Sequence, residues 1–389
     1  MMRPNDASDS ERTSFVDKET GRTIWRITTS SRHDKHTYYD LCPWSPDGRH
    51  ILFSSADPAD LKVPPGANVN VTQKGQLYLL DTGTYTRTLI ADNTIFESHQ
   101  GTFSSWSARK NRVYFQKSST ELGVFDVDSG TLLRTMGGFV WWRSPETERF
   151  AFASGEVGRP ENGIYTMNED GSDRRMLAAT RDLFELTPFR DDYPPEQAGV
   201  GLAKWSPDGE YVLFNMWVIE PGTHSSPPGL PPCLFVVSKD GSRKWCVGST
   251  GHHQSFTPDS TRIIWGGWKH LSPRSRSGAP GGGSENRDPR IFMVNIDGSD
   301  SHIVVDEPIA GHPTMDPTCT WIVTSDDRGV VLVDVARRTT ERLAVFQPPF
   351  DTSHGGTHPH CAWSRDGTQI VYNSAESGVS QLYVIPMGR

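Results

Sequence analysis

The chain has no apolar run long enough to cross a membrane and no excess of positive charge. It has 389 residues, with 39 Lys and Arg against 47 Asp and Glu, and a formal net charge of −8. A spanning helix needs about 20 consecutive apolar residues, so we expect no membrane segment. The negative charge argues against nucleic acid as a general partner. The polar start lacks an apolar signal core, and we therefore expect a cytoplasmic protein.

Cysteine is scarce, odd in number and scattered along the chain. The five residues are Cys42, Cys233, Cys246, Cys319 and Cys361. A disulfide framework would need an even set at regular spacing, so the sequence predicts free thiols in a reducing compartment.

Glycine and proline are abundant, at 36 and 28 residues, and some of them lie in a repeated turn. Its fullest form is Trp-Ser-Pro-Asp-Gly, and it recurs roughly every 50 residues, as in propeller repeats. The seven turns begin at Trp44, Trp106, Trp142, Trp205, Phe256, Met315 and Trp363. Each turn is followed by a run of β-branched and aromatic residues, which predicts a strand. Four short strands per unit are typical of a propeller blade, so we predict an all-β fold, a seven-bladed β-propeller.

The two ends of the sequence complement each other. The last unit stops after the strand predicted at 381–385, without an outer strand, whereas residues 21–27 have that strand's pattern and no blade of their own. Pairing them would close the ring and remove an open sheet edge. We predict that the N-terminal strand pairs into the last blade, that 1–389 is a single propeller domain, and that 1–20 is a flexible tail.

Histidines recur at one position of the repeat. In a propeller the first strand of each blade lines the central channel, so residues at one register converge. The position four residues before the Ser, Thr or Asp of each turn holds Leu41, Phe103, Val140, Leu202, His253, His312 and His360. His358 lies two residues before His360, and on an extended strand the two would share a face.

We therefore predict that His253, His312, His358 and His360 cluster, and that the cluster binds a divalent metal ion. His354, in the preceding loop, is a further candidate ligand. Imidazole ligands are compatible with manganese, zinc, iron or nickel. The alternative is that these histidines are polar side chains that fill a wet channel.

Two more histidines, His36 and His99, precede the serines of the first and second turns by nine and eight residues. They are placed to reach the mouth of the channel, or else to make hydrogen bonds within their loops. Cys361 should face away from His360 on the strand, which predicts a core thiol.

The C-terminal segment resembles a known motif. Thr357–His360, followed by Trp363–Gly367 and Val371–Ser374, resembles the metal motif of the oligogalacturonate lyases, a seven-bladed propeller family of pectin-degrading enzymes. His312 is similar to that family's third metal histidine, and His253 matches its catalytic histidine.

The resemblance implies a metal-dependent lyase that cleaves uronate-containing oligosaccharides by β-elimination. It implies that His312, His358 and His360 hold one metal, Mn²⁺ by resemblance, although Zn²⁺, Fe²⁺ and Ni²⁺ are not excluded. It also implies that His253 takes a proton from the substrate, because a neutral imidazole suits a base near neutral pH. His252 is the fallback base.

The chain departs from the family's pattern at two positions. Gly355 stands where the family has a glutamine ligand, beside His354, and Cys233 stands where it has a catalytic arginine. Other groups would then bind the acidic substrate, and the candidates are Lys204, Lys269, Arg290 and His99. The departures leave two alternatives: a non-catalytic propeller that binds a saccharide or protein partner, and a lyase or isomerase acting on another acidic sugar.

Overall fold

The computed structural model describes residues 10–60, 72–98, 101–118, 121–137, 149–222, 226–227, 230–249, 252–268, 287–309, 311–347 and 357–388. Helices in these ranges are limited to α1 (Thr180–Phe184) and a 3-10 turn at Pro195–Gln197. None of the described helices is long and apolar enough to span a membrane.

The described strands form seven antiparallel sheets, six of them simple meanders and one a meander extended by two N-terminal strands, and the fold class is the predicted seven-bladed β-propeller. All seven apolar runs that follow the sequence turns are strands. By contacts the chain divides into two compact units, Met1–Phe139 with His312–Arg389, and Val140–Gly311.

The first unit contains blades one, two, six and seven. Blade seven takes two strands from the N-terminus, β1 (Thr13–Val16) and β2 (Thr23–Arg26). Blade one consists of β3 (His33–His36), β4 (His50–Ala56), β5 (Thr72–Asp81) and β6 (Arg87–Glu97). Blade two consists of β7 (Ser105–Trp106), β8 (Arg112–Ser118), β9 (Glu121–Asp126) and β10 (Thr131–Gly137).

The second unit contains blades three to five. Blade three has three described strands, β11 (Arg149–Ser154), β12 (Gly163–Asn168) and β13 (Arg175–Ala179). Blade four consists of β14 (Ala198–Trp205), β15 (Tyr211–Val218), β16 (Cys233–Ser238) and β17 (Lys244–Ser249). Blade five consists of β18 (His252–Phe256), β19 (Arg262–Trp268), β20 (Arg287–Asn295) and β21 (His302–Ile303).

The chain then completes the first unit. Blade six consists of β22 (Thr314–Met315), β23 (Trp321–Ser325), β24 (Gly329–Asp334) and β25 (Thr339–Val345). Blade seven begins with β26 (Ala362–Trp363), β27 (Gln369–Ser374) and β28 (Gln381–Pro386).

The recurring turn is held by its own side chains. In blade seven the Ser364 hydroxyl donates to Asp366 Oδ1 at 2.6 Å and accepts from the Gln369 N–H at 2.9 Å. Gly367 takes a φ of 71°, a conformation that costs glycine little. In blade six, Asp316 replaces the hydroxyl residue and its Oδ1 accepts from the Trp321 N–H at 2.7 Å. The degenerate turn therefore keeps its geometry.

The predicted pairing of the two chain ends is confirmed. Strand β2 pairs with β28, with Trp25 opposite Val384 and Arg26 opposite Tyr383. The prediction of a flexible tail over residues 1–20 is wrong for its second half, because β1 pairs with β2 as a fifth strand of blade seven.

Residues 11–27, which we call the N-terminal strap, also bind the blades on either side. Asp17 Oδ2 accepts from the Val345 N–H of blade six at 2.9 Å. At the other end the Glu11 N–H donates to Tyr85 O, in the turn that joins β5 to β6 of blade one, at 3.0 Å. The strap therefore links blades six, seven and one.

The cores lie between neighbouring sheets. In the first unit Ile24 of the strap packs in one cluster with Leu332 and Tyr372, and all three are almost fully buried. Cys361 belongs to the same cluster, which confirms it as a core thiol. In the second unit Cys233 is buried in another apolar cluster. Burying a large apolar side chain stabilises a fold by roughly 1.5–3 kcal/mol.

Candidate metal centre

The chain bends at the register position that the sequence singles out in blades four, five and seven. Leu202, His253 and His360 have positive φ values of 57°, 64° and 45°. The pairing of β14 with β15 and of β18 with β19 shifts by one residue at this position, which is a β-bulge. In blade six the positive φ falls on Gly311, at 40°, one residue before His312.

The predicted extended strand at His358 and His360 is wrong. Strand β26 begins only at Ala362, and the two histidines precede it in irregular backbone. In this stretch the left-handed conformation of His360, rather than strand alternation, sets the direction of its side chain.

The structure brings three of the predicted ligands together in the first unit. One ring nitrogen of each of His312, His358 and His360 lies within 4.8 Å of the others. The ring centroids of His312 and His360 are 4.5 Å apart, and His358 lies 5.5 Å from each. His312 and His360 are 6% and 0% exposed, and His358 is partly buried.

This triad fits a divalent metal ion. Imidazole nitrogens bind first-row metals at about 2.0–2.1 Å, which places two ligand nitrogens about 3–4 Å apart. The observed spacing lets the three rings reach one ion with small rotations. Three neutral nitrogen donors suit manganese, iron, nickel or zinc.

Two tyrosines line the triad. The ring of Tyr38 lies 4.7 Å from that of His360, and the ring of Tyr39 lies 5.1 Å from that of His312. Burial raises the pKa of both phenols well above its ordinary value, so they stay protonated at neutral pH. Sequence analysis did not propose them as site residues, although they stand just before the register position of blade one.

Asn373 of β27 is a third residue that sequence analysis did not propose for the site. Its Nδ2 donates to His358 O at 3.2 Å, and its backbone N–H donates to Pro359 O at 2.9 Å. Its Oδ1 accepts from the His36 N–H at 3.1 Å. It is 1% exposed. It therefore touches both the ligand segment and the strand that leads to Tyr38.

His253 belongs to the second unit, and its convergence with the triad stays a prediction. Its Nδ1 lies 3.2 Å from Gly311 O. A carbonyl only accepts hydrogen bonds, so this contact assigns the proton of the neutral ring to Nδ1 and leaves Nε2 as the acceptor. That tautomer suits a base.

Lys204 was predicted to bind substrate, but it is only 7% exposed and its ammonium donates to Gln254 O at 2.6 Å. Arg290 is partly exposed, and its guanidinium lies 4.0 Å from the carboxylate of Asp306. His36 is fully buried, and burial lowers its pKa to about 3, so its ring is neutral. His252 is the first residue of β18. Four candidate site positions lie outside the described residues, namely His99, Lys269, His354 and Gly355, and so do Val140 and Trp142 of blade three.

The fold is similar to that of solved lyases and of other propellers. No protein-family model matches the chain, and no curated relative is detected. An oligogalacturonate lyase from Vibrio parahaemolyticus superposes with a TM-score of 0.69 at 13% identity, over 98% of both chains. An oligogalacturonate lyase in complex with manganese gives 0.67 at 14% identity, over 99% of this chain and 98% of that one. The Cps50 (Swd1) propeller domain of Myceliophteria thermophila gives 0.53 at 10% identity, over 92% and 99%. At these identities the likeness shows the fold: the chain is a seven-bladed β-propeller of the kind that oligogalacturonate lyases also have.

Proposed function

We propose that this protein is a metal-dependent lyase that cleaves uronate-containing oligosaccharides, oligogalacturonate-like, by β-elimination. The observation that carries the proposal is the triad of His312, His358 and His360, with ring nitrogens within 4.8 Å of one another. It lies in a fold that superposes over nearly its whole length on two oligogalacturonate lyases, one of them a manganese complex. We propose Mn²⁺ as the metal and an acidic oligosaccharide as the partner.

The reaction needs a proton acceptor and stabilisation of negative charge. The base takes the C5 proton of the uronate, a C4–C5 double bond forms, and the C4–O bond breaks, with the leaving oxygen taking up a proton. When bound, a divalent ion supplies Lewis-acid polarisation of the uronate carboxylate, which makes the C5 proton more acidic. The triad would hold that ion, and the phenol rings of Tyr38 and Tyr39 pack against His360 and His312.

His253 is the proposed base. Its Nδ1 contact with Gly311 O fixes the tautomer in which Nε2 accepts a proton. The Gln254 carbonyl, on the next residue, is held by Lys204. The first contact orients the imidazole and the second restrains the backbone beside it, as a positioned base requires.

The metal part is tested by the double variant His358→Ala/His360→Ala. Two of three ligands are removed, so metal analysis of the purified protein should find no stoichiometric divalent ion. His50→Ala, in blade one, is the matched control and should keep it. Full occupancy in the double variant would show that the triad is not the site.

The catalytic part is tested by His253→Ala, with His302→Ala of the same blade as the control. Elimination is followed by the ultraviolet absorbance of the unsaturated product across uronate oligosaccharides. We expect a loss of turnover of about 10²–10⁴-fold with metal content unchanged, as for removal of a general base. Loss of metal together with activity would make His253 a ligand, and full activity would exclude both roles.

A second candidate function is a non-catalytic propeller that binds a saccharide or protein partner. It is favoured by Cys233, which is 0% exposed and packed in an apolar cluster where the resemblance calls for an arginine. The same measurements separate the two functions, because a binding module of this kind needs neither bound metal nor product formation.

A further inference from the structure

We infer that Asn373 is the positioning residue of the metal centre, and that it sets the affinity of the triad for its ion by fixing the backbone of His358. This inference rests on the metal site proposed above but not on the reaction. It is carried by three hydrogen bonds that one buried amide residue makes to two other segments of the site.

The ligand segment has little support from the sheet. Only Ala362 and Trp363 of the inner strand pair with β27, opposite Val371 and Ile370. Continued without a break, this ladder would place His360 opposite Asn373. The Asn373 N–H instead donates to Pro359 O, so the inner strand has gained one residue at its kink.

Asn373 makes the bonds that the ladder no longer supplies. Pro359 has no N–H to offer, and the carbonyl groups of His358 and Pro359 need donors. Asn373 provides both, one from its side chain and one from its backbone. The two consecutive carbonyls of His358 and Pro359 are thereby fixed to a single residue of a rigid strand.

The choice of asparagine follows from the two side-chain contacts. The His36 N–H can only donate and the His358 carbonyl can only accept, so the residue between them must offer one acceptor and one donor. A carboxylate lacks the donor and an aliphatic side chain lacks both. The amide also ties His358 to the strand end that leads to Tyr38, whose ring packs on His360.

Asn215 provides a matched control. It occupies the same place in blade four, nine residues after the turn serine Ser206, as Asn373 is nine after Ser364. It is 2% exposed and its Oδ1 accepts from the Gln254 side-chain amide, so its loss also removes a buried hydrogen bond. The described bond of its side chain goes to Gln254 rather than to His312, His358 or His360.

The experiment compares Asn373→Leu with Asn215→Leu in the full-length protein. Leucine has a similar size and no charge, so neither variant adds an electrostatic attraction for a cation. Zn²⁺ and Mn²⁺ dissociation constants are measured by competition with a chromogenic chelator, and melting temperatures are measured on the metal-free proteins. We expect both variants to melt earlier, and only Asn373→Leu to bind the ions 10–100-fold more weakly, as is usual when a partner of a metal ligand is removed.

Each outcome bears on the inference. Equal metal affinity in Asn373→Leu and wild type would overturn it, as would an equal loss in both variants. If the wild-type protein binds neither Zn²⁺ nor Mn²⁺, the proposed metal centre itself is wrong. This result would be known before any variant is compared.

Should Asn373→Leu not fold, the wild-type protein still gives an answer. With asparagine side chains labelled with ¹⁵N, the Asn373 amide protons should exchange slowly and shift as Zn²⁺ fills the site, while those of Asn215 should not shift. An Asn373 signal that does not move at saturation would refute the inference.

Discussion

Glu376 shows how a single side chain of this fold departs from its behaviour in water. It follows β27 and lies beside Tyr372 and Tyr383. Burial raises its pKa to about 7, and the nearby charge of Asp17 adds to this, while hydrogen bonds from the Gln347 backbone and Ser374 oppose it. The folded protein therefore binds a proton here that the unfolded chain has released.

This difference makes stability depend on pH in a defined window. The stabilising effect of the neutral carboxyl is complete below about 4.5 and is lost as the pH rises through about 7. Glu376→Gln mimics the neutral form, so at pH 8 it should be more stable than wild type by on the order of 2–3 kcal/mol. Denaturant unfolding at pH 5 and pH 8 measures this, with exposed Glu161→Gln as the control. An identical pH dependence in Glu376→Gln and wild type would contradict the assignment.

At the scale of elements, the N-terminal strap does more than complete a sheet. It supplies two strands to blade seven and bonds to both neighbouring blades. The side chain of Thr20 adds a bond to Leu343 O at 3.3 Å, and Arg22 pairs with Glu341 of the same strand, β25. The contacts of the strap are therefore spread over the sheets of blades six, seven and one.

Removal of the strap should weaken the first unit as a whole. Deleting residues 1–28 exposes the edge of β28 and the cluster around Ile24, so we expect a much lower melting temperature and a broader transition. Deleting residues 1–9 removes no described strand and should change little. Calorimetry on the two truncated proteins measures this difference. Unchanged cooperative unfolding after the longer deletion would contradict a stabilising role of the strap.

At the scale of the whole molecule, the charge of −8 bears on the proposed substrate. An acidic oligosaccharide approaches a protein of the same sign, and mobile ions screen that repulsion over about 10 Å at 0.1 M salt. Two of the predicted substrate-binding cations are described in the structure, and neither presents an uncompensated positive charge at the surface. Lys204 is buried, and Arg290 lies near the carboxylate of Asp306.

We therefore expect KM for uronate oligosaccharides to fall as the ionic strength rises from about 0.02 to 0.15 M, with kcat nearly constant. Initial rates at several sodium chloride concentrations test this, and a neutral oligosaccharide serves as the binding control. A KM that rises steeply with salt would reveal attraction by a positively charged substrate site.

The sequence predicts the blades well because their determinants are local. The turn residues hold one another, and the apolar run after each turn has to be a buried strand. The pairing of residues 21–27 with the last blade is also predictable, because the last blade lacks an outer strand and residues 21–27 form a strand without a blade of its own. Strand β1 was missed because its four residues are all exposed and carry no core pattern.

The site is predictable only in part. Register was sufficient to bring His312, His358 and His360 together, because it depends on counting from the turn. The kink at His360 depends on the hydrogen bonds that the neighbouring strand can make. The residue types at this position do not predict it. Asn373 and the two tyrosines were missed as site residues for the same reason, since their roles arise from contacts between distant segments.

The kink has a consequence for how such a site can arise. Leu202 adopts nearly the same left-handed backbone as His253 and His360, yet it carries no ligand chemistry. The bend therefore occurs in more than one blade and does not depend on a histidine. A blade that has the bend can accept a histidine there, and thus a metal-binding imidazole, without any change in its backbone.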